Sequence, residues 1–92
     1  MQIATTELIY DEERQAARPI FSKPRDFEWS ELKALLKGLG FEEVSGTGSR
    51  IKFHDLKSGR IINLHRPHPR NVVKQYVLDR VIEELKDRGI RP

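Results

Sequence analysis

Two short glycine-containing turns divide the middle of the chain into three segments. The turns are Gly46-Thr47-Gly48 and Lys57-Ser58-Gly59, and the segments span residues 41–45, 50–54 and 60–65. In the second segment Ile51 and Phe53 alternate with Arg50, Lys52 and His54, as in a half-buried strand with one open face. Strands joined by such short turns pair antiparallel, because a parallel pair needs a crossover of a dozen or more residues. The pattern therefore predicts a three-stranded antiparallel sheet.

An apolar stripe at helical spacing lies on each side of these segments. The first stripe is Leu32, Leu35, Leu36 and Leu39, with Ser30 as its expected N-cap and Gly40 at its expected end. The second begins near residue 72 or 74, contains Val77, Leu78, Val81, Ile82 and Leu85, and ends at Gly89. The order α-β-β-β-α predicts an α+β fold in which both helices cover one face of the sheet, leaving the other face open.

Residues 1–28 precede this pattern. Residues 1–10 show no clear hydrophobic period and are expected to form a tail. Residues 11–18 can form a short helix, which we expect to end before Pro19 because proline lacks the backbone N–H and clashes with the preceding turn. The sequence thus predicts an N-terminal extension over residues 1–28 and one folded domain over residues 29–92.

Charge is distributed unevenly along the chain. Residues 46–80 carry 8 Lys/Arg against 2 Asp/Glu, whereas residues 1–45 carry 6 against 9. A basic block beside an acidic flank is typical of a surface that faces a polyanion, although an ordinary solvated face gives a similar pattern. There is no cysteine and no apolar run of the ~20 residues that a membrane span needs. We therefore expect a cytoplasmic protein that makes no membrane contact.

The densest group of chemically active side chains is HRPHPR, His65 to Arg70. It follows the third predicted strand directly, and its two prolines restrict the backbone. The composition fits an active-site loop, a phosphate clamp or merely a stiff connection between a strand and a helix. Metal binding is a weaker interpretation, because His54, Asp55, His65 and His68 lack a recognised zinc spacing.

The element order, together with LKALLKGLGFEEVSGTGSRIKF and INLHRPHPRNVVKQYVLDRV, resembles the HicA (YcfA-like) family of toxin–antitoxin toxins. The resemblance runs from about Trp29 to Ile90. Its landmarks are the helix ending in LGF, the GTGS turn, the basic strand and the HRPHP-type loop. It implies a fold like that of a double-stranded-RNA-binding domain, a ribonuclease that cuts mRNA without a metal or other cofactor, and a HicB-like antitoxin that covers the site.

Arg50 departs from the family pattern. In most of the family a histidine directly follows the Gly-Ser of the turn and carries the catalysis, whereas Arg50 follows Gly48 and Ser49 here. Arginine stays protonated and cannot act as a general base. A branch of the family joins a Gly-Ser-Arg turn to an HRPHP loop, which favours a modified site. The expected catalytic residues are Arg50, His65 and His68.

Histidine suits the chemistry that the resemblance implies. Metal-free RNA cleavage needs a base for the ribose 2′-OH proton and an acid or a cation at the departing 5′-oxygen, and imidazole can serve in both roles near neutral pH. The residues expected to contact RNA are Arg50, Lys52, His54, Arg66, Arg70 and Lys74. A nucleic-acid-binding or antitoxin-binding module without catalysis is the alternative function.

Overall fold

The computed structural model describes residues 3–92, with side chains from residue 12 onward. Within that range the element order is α1 (Ile3–Phe21), α2 (Trp29–Gly38), β1 (Phe41–Ser45), β2 (Arg50–Asp55), β3 (Ile61–His65) and α3 (Gln75–Asp87). The strands form one antiparallel sheet in the order β1-β2-β3. This architecture confirms the predicted α-β-β-β-α order and adds a long helix in front of it.

The core lies between the sheet and the helices. Alternate residues of β2 and β3 are buried and join the apolar stripes of α2 and α3 in a single cluster, while the residues between them are exposed or half-buried. Phe53 is fully buried, and its ring packs edge-on against Trp29 with the centroids 6.0 Å apart. Trp29 is therefore part of the core. The opposite face of the sheet stays open.

The N-cap of α2 is Glu28, so the prediction of Ser30 was wrong. Glu28 has extended backbone angles, and its N–H donates to the Glu31 side chain at 3.0 Å, which completes a capping box. Trp29 N–H donates to the Asn71 carbonyl at 2.7 Å, and this bond ties the entry to α2 to a distant segment. That long-range pairing sets the start of the helix. Its end follows the prediction, because Gly40 has φ 95° just beyond the C-cap.

Residues 1 and 2 of the expected tail lie outside the described residues, and from Ile3 onward the expected tail and short helix are instead one helix, α1, which continues through Pro19 to Phe21. Ala17 and Ile20, on either side of the proline, are fully buried against the other helices. A proline in a helix costs about 3 kcal/mol, and burying a large aliphatic side chain returns about 1.5–3 kcal/mol. Burial of the last turn therefore compensates for much of the proline penalty, which local sequence rules cannot anticipate.

A partly buried ion network fastens α1 to the domain. One Glu13 oxygen accepts from Lys57 Nζ and from Arg88 Nη2, both at 2.7 Å. Arg88 Nε also lies 3.4 Å from the carboxylate of Asp55, which is 1% exposed. The Asp55 oxygens further accept from Lys57 N–H at 3.0 Å and from Ser58 Oγ–H at 2.8 Å. Asp55 thus has a structural role at the end of β2.

Candidate active site and nucleic-acid interface

Arg50 and His65 meet at one end of the sheet. They are direct partners in the β2–β3 register, and both side chains are exposed on the open face. Ser49 Oγ lies 3.5 Å from His65 Nδ1, and the backbone N–H of Arg66 donates to the Ser49 carbonyl at 2.8 Å. The pairing therefore joins the GTGS turn to the first residues of the HRPHP loop.

The glycines of the turn allow this approach. Gly46 N–H donates to the Arg50 carbonyl at 2.9 Å, and a Cβ on Gly46 would lie 2.8 Å from the same oxygen. Gly48 has φ 64°, a left-handed conformation that glycine adopts without steric cost. These two positions let the turn close tightly and so set where Arg50 enters β2.

The HRPHP loop borders a small cleft of about 140 Å³. Its lining consists of His65, Arg66, Pro67, His68, Val73, Lys74, Tyr76 and Val77. His65 also borders a groove on the open sheet face with Arg50, Asn63 and Leu64. The structure thus brings together five of the predicted site residues: Arg50, His65, Arg66, His68 and Lys74. His65 lies at the junction of the cleft and the groove.

The loop is held at both ends. Arg66 is bonded to the turn at the start, and at the far end Val73 N–H donates to the Phe27 carbonyl at 2.8 Å. Val72 forms an isolated antiparallel bridge with Glu28, and Val73 is 2% exposed. A loop fixed in this way presents its histidines at a defined edge of the domain, as a preorganised site requires.

Three predicted site residues lie outside this cluster. His54 is paired with Ile61, four residues before His65 on the same strand, which corresponds to ~13 Å along the sheet. Arg70 borders a different groove, which also includes Arg25. Lys52 lies between the two ends of the open face, opposite Asn63. Lys52 and His54 therefore lie along the open face, away from the loop histidines, whereas Arg70 shares its groove with His68.

Several residues near the site were missed by sequence reasoning. Ser49 was noted only as a part of the turn, although its hydroxyl, one residue before Arg50, could have been recognised in the sequence as a candidate site group. Lys33 and Lys37 border a further groove with Arg66, beside Trp29, and only the helical spacing of the two lysines pointed to a shared face. Arg25 comes from the segment between α1 and α2, and nothing in the sequence links it to the loop.

Lys33 and Lys37 are also tied to β1. Each Nζ lies 3.3 Å from the same oxygen of Glu43. Burial raises the pKa of Glu43, but hydrogen bonds and Coulombic attraction from the two lysines outweigh it, so that the pKa is lowered overall. The carboxylate of Glu43 therefore partly neutralises the positive charge of these two lysines.

The part of the chain with described side chains contains no group of three His, Cys, Asp or Glu side chains arranged to hold a metal ion. Among the helices described over residues 3–92, none is long and apolar enough to cross a membrane.

Comparison with known proteins assigns the family. The model for the HicA toxin of bacterial toxin–antitoxin systems matches residues 29–90, from the first residue of α2 to just beyond α3. No match is found among curated proteins or among solved structures. The matched range covers most of the chain and contains both the turn and the loop that meet at His65. The chain therefore belongs to the HicA toxin family of bacterial toxin–antitoxin systems.

Proposed function

We propose that this HicA-family toxin binds RNA and cleaves mRNA as a metal-independent endoribonuclease. The observation that carries the proposal is the position of His65, directly opposite Arg50 and on the same cleft as His68, Arg66 and Lys74. A titratable imidazole surrounded by permanent cations suits proton transfer at a phosphodiester, because the cations hold the anion while the imidazole exchanges a proton.

The proposed reaction is an attack by the ribose 2′-oxygen on the adjacent phosphorus. The P–O2′ bond forms and the P–O5′ bond breaks, leaving a 2′,3′-cyclic phosphate and a 5′-hydroxyl. His65 accepts the 2′-OH proton, and His68 donates a proton to the departing 5′-oxygen. The step needs one base and one acid, and two histidines on one cleft can supply both.

Ser49 can set the tautomer of His65. If the hydroxyl accepts the Nδ1–H at the observed separation of 3.5 Å, Nε2 is left unprotonated and can act as the base. Arg50 cannot accept a proton, so its role is different from that of the usual family histidine. Arg50 and Arg66 stabilise the additional negative charge of the pentacovalent phosphorane with guanidinium hydrogen bonds.

The remaining predicted RNA contacts continue from this centre. Lys52 and His54 extend along the open face of the sheet, and Lys74 stands at the N-cap of α3, where backbone N–H groups also favour a phosphate. These contacts are to the backbone, so they give affinity without base specificity. We propose further that the toxin acts in the cytoplasm and that its antitoxin is HicB-like and covers the cleft.

Purified toxin incubated with a labelled mRNA in excess EDTA tests the proposal. We expect internal cleavage with products that end in a 2′,3′-cyclic phosphate, and growth arrest when the toxin is expressed without its antitoxin. Salt-dependent RNA binding without any shortening of the RNA would favour the binding module instead.

A further inference from the structure

The segment between α1 and α2 reaches the HRPHP loop although it lies outside the family match, which begins at residue 29. Gln75, the first residue of α3, donates its side-chain N–H to the Pro24 carbonyl at 3.2 Å. Lys23 has φ 51°, and its ammonium lies 2.6 Å from Asp79 of α3. With Phe27 bonded to Val73, these contacts hold the segment against α3 and the loop.

This arrangement creates a groove of about 580 Å³. Arg25 and Asp26 of the segment line it together with Pro67, His68, Pro69, Arg70, Val72 and Lys74. The groove thus contains three permanent cations, those of Arg25, Arg70 and Lys74, and one carboxylate, that of Asp26. Pro67, His68 and Lys74 also line the cleft beside His65, so that the groove continues from that cleft.

The three groove cations differ from the cations of the domain that carboxylates neutralise. Lys33, Lys37, Lys57, Arg60 and Arg88 are all ion-paired with carboxylates. In the described part of the chain, Arg25, Arg70 and Lys74 make no ion pair, and all three are exposed. Like charges placed around one groove repel each other, and an anionic ligand would relieve that repulsion.

We propose that Arg25 is a phosphate-contacting residue that the N-terminal extension adds to the RNA site. With Arg70 and Lys74 it holds a nucleotide that flanks the cleaved bond. The inference rests on the proposed RNA-binding function, since a strand whose scissile phosphate lies at His65 can place a neighbouring phosphate in the groove that continues from the cleft. Arginine is suited to this contact because its planar fork matches phosphate oxygens.

RNA is favoured over an acidic protein segment as the occupant. The groove opens onto the cleft of the two histidines, where the proposed substrate is bound, and it is much larger than that cleft. A polynucleotide carries a phosphate at every nucleotide. It can therefore contact cations both in the cleft and in the groove that the HRPHP loop borders. Flanking contacts of this kind increase affinity without changing the chemical step.

The test measures binding of a fully 2′-O-methylated single-stranded RNA of about 12 nucleotides, which cannot be cleaved through its 2′-oxygens. Affinity is measured at several salt concentrations for the full chain, for Arg25→Ala and for Arg18→Ala. Arg18 is the matched control, because it is an exposed arginine of the same extension and borders none of these grooves. We expect Arg25→Ala to bind about two- to fivefold more weakly and to flatten the salt slope by about 0.7, with Arg18→Ala unchanged.

Each other outcome overturns the inference. If the parent binds with a steep salt dependence and Arg25→Ala behaves like Arg18→Ala, Arg25 is not an RNA contact, while the proposed function stands. If the parent shows no salt-dependent RNA binding, the inference and the proposed function both fail. If Arg25→Ala leaves RNA affinity unchanged but weakens binding to a poly-glutamate peptide, the groove binds an acidic protein.

Discussion

Arg50 and His65 lie directly opposite each other on β2 and β3, on the open face of the sheet. The pairing places a guanidinium, which is always charged, beside an imidazole, which can accept or donate a proton. It joins the two sequence landmarks, the turn and the loop, into one site. The proposed division of roles between a charge-stabilising arginine and a proton-accepting histidine rests on this pair.

The sheet and its core give the first prediction. Phe53 is fully buried in the centre of β2 and contacts Trp29, so Phe53→Ala should lower the free energy of unfolding by about 3–5 kcal/mol. Tyr76→Ala, at an aromatic side chain that is 65% exposed, should change it by less than about 0.5 kcal/mol. Chemical denaturation measures both. An unchanged midpoint for Phe53→Ala would show that the core is assigned wrongly.

The ion network that attaches α1 to the domain gives the second prediction. Glu13→Gln keeps the size of the side chain but removes the charge that Lys57 and Arg88 share. Because the Arg88 side chain is only 9% exposed, we expect a loss of about 1–3 kcal/mol in urea denaturation. Glu12→Gln, at the exposed neighbouring carboxylate, is the control and should have little effect. Equal stability of the two variants would mean that the network does not hold α1.

Glu43 gives a pH dependence. Its pKa is lowered in the folded state, so its contribution to stability is present above the ordinary value of 4.5 and is lost as the pH falls through the lowered pKa. Glu43→Gln should therefore be less stable than the parent at pH 7 by about 0.2–1 kcal/mol for each of the two lysine contacts. At a pH below the folded pKa, the parent and the variant should have the same stability. A difference that persists there would exclude the ion pairs as its cause.

RNA binding should weaken steeply with salt. If four or five cations contact phosphates, the slope of log K against log[salt] should be about −3 to −4.5. Arg50→Ala and Lys74→Ala should each flatten this slope by about one phosphate contact, whereas Arg80→Ala, on the exposed side of α3, should not. Titrations of a labelled RNA at several salt concentrations give the slopes. A parent slope near zero would contradict the polyanion interpretation.

Local patterns were sufficient for the sheet and the two helices of the matched region. The observed β1 has the predicted bounds, and β2 and β3 differ from prediction by one residue each. Strong alternation and glycine turns determine such elements within a few residues of sequence. The continuation of α1 through Pro19 and the capping by Glu28 depended on burial of Ile20 and on the bond between Trp29 and Asn71. Contacts across such a sequence distance leave no local signature.

The difference between local patterns and long-range contacts applies to the candidate site as well. His65, Arg66 and His68 are adjacent in sequence, and their shared cleft could be anticipated. The pairing of Arg50 with His65 follows from the hairpin register, which also separates His54 from them by the length of a strand. Arg25 reaches the loop through tertiary packing of the N-terminal extension, so only the folded structure reveals it.

The most direct test of the account compares single-turnover cleavage of a labelled mRNA in EDTA, across pH 5 to 9, by the parent, His65→Ala, His68→Ala and Arg66→Ala. A general base contributes ~10²–10⁴ to the rate, so His65→Ala should lose about that factor while its RNA affinity changes little. Arg66→Ala should lower both the rate and the affinity, because in the proposed site Arg66 contacts the phosphate before and during the reaction. If His65→Ala and His68→Ala both cleave as fast as the parent, the loop histidines do not perform the chemistry and the central claim is wrong.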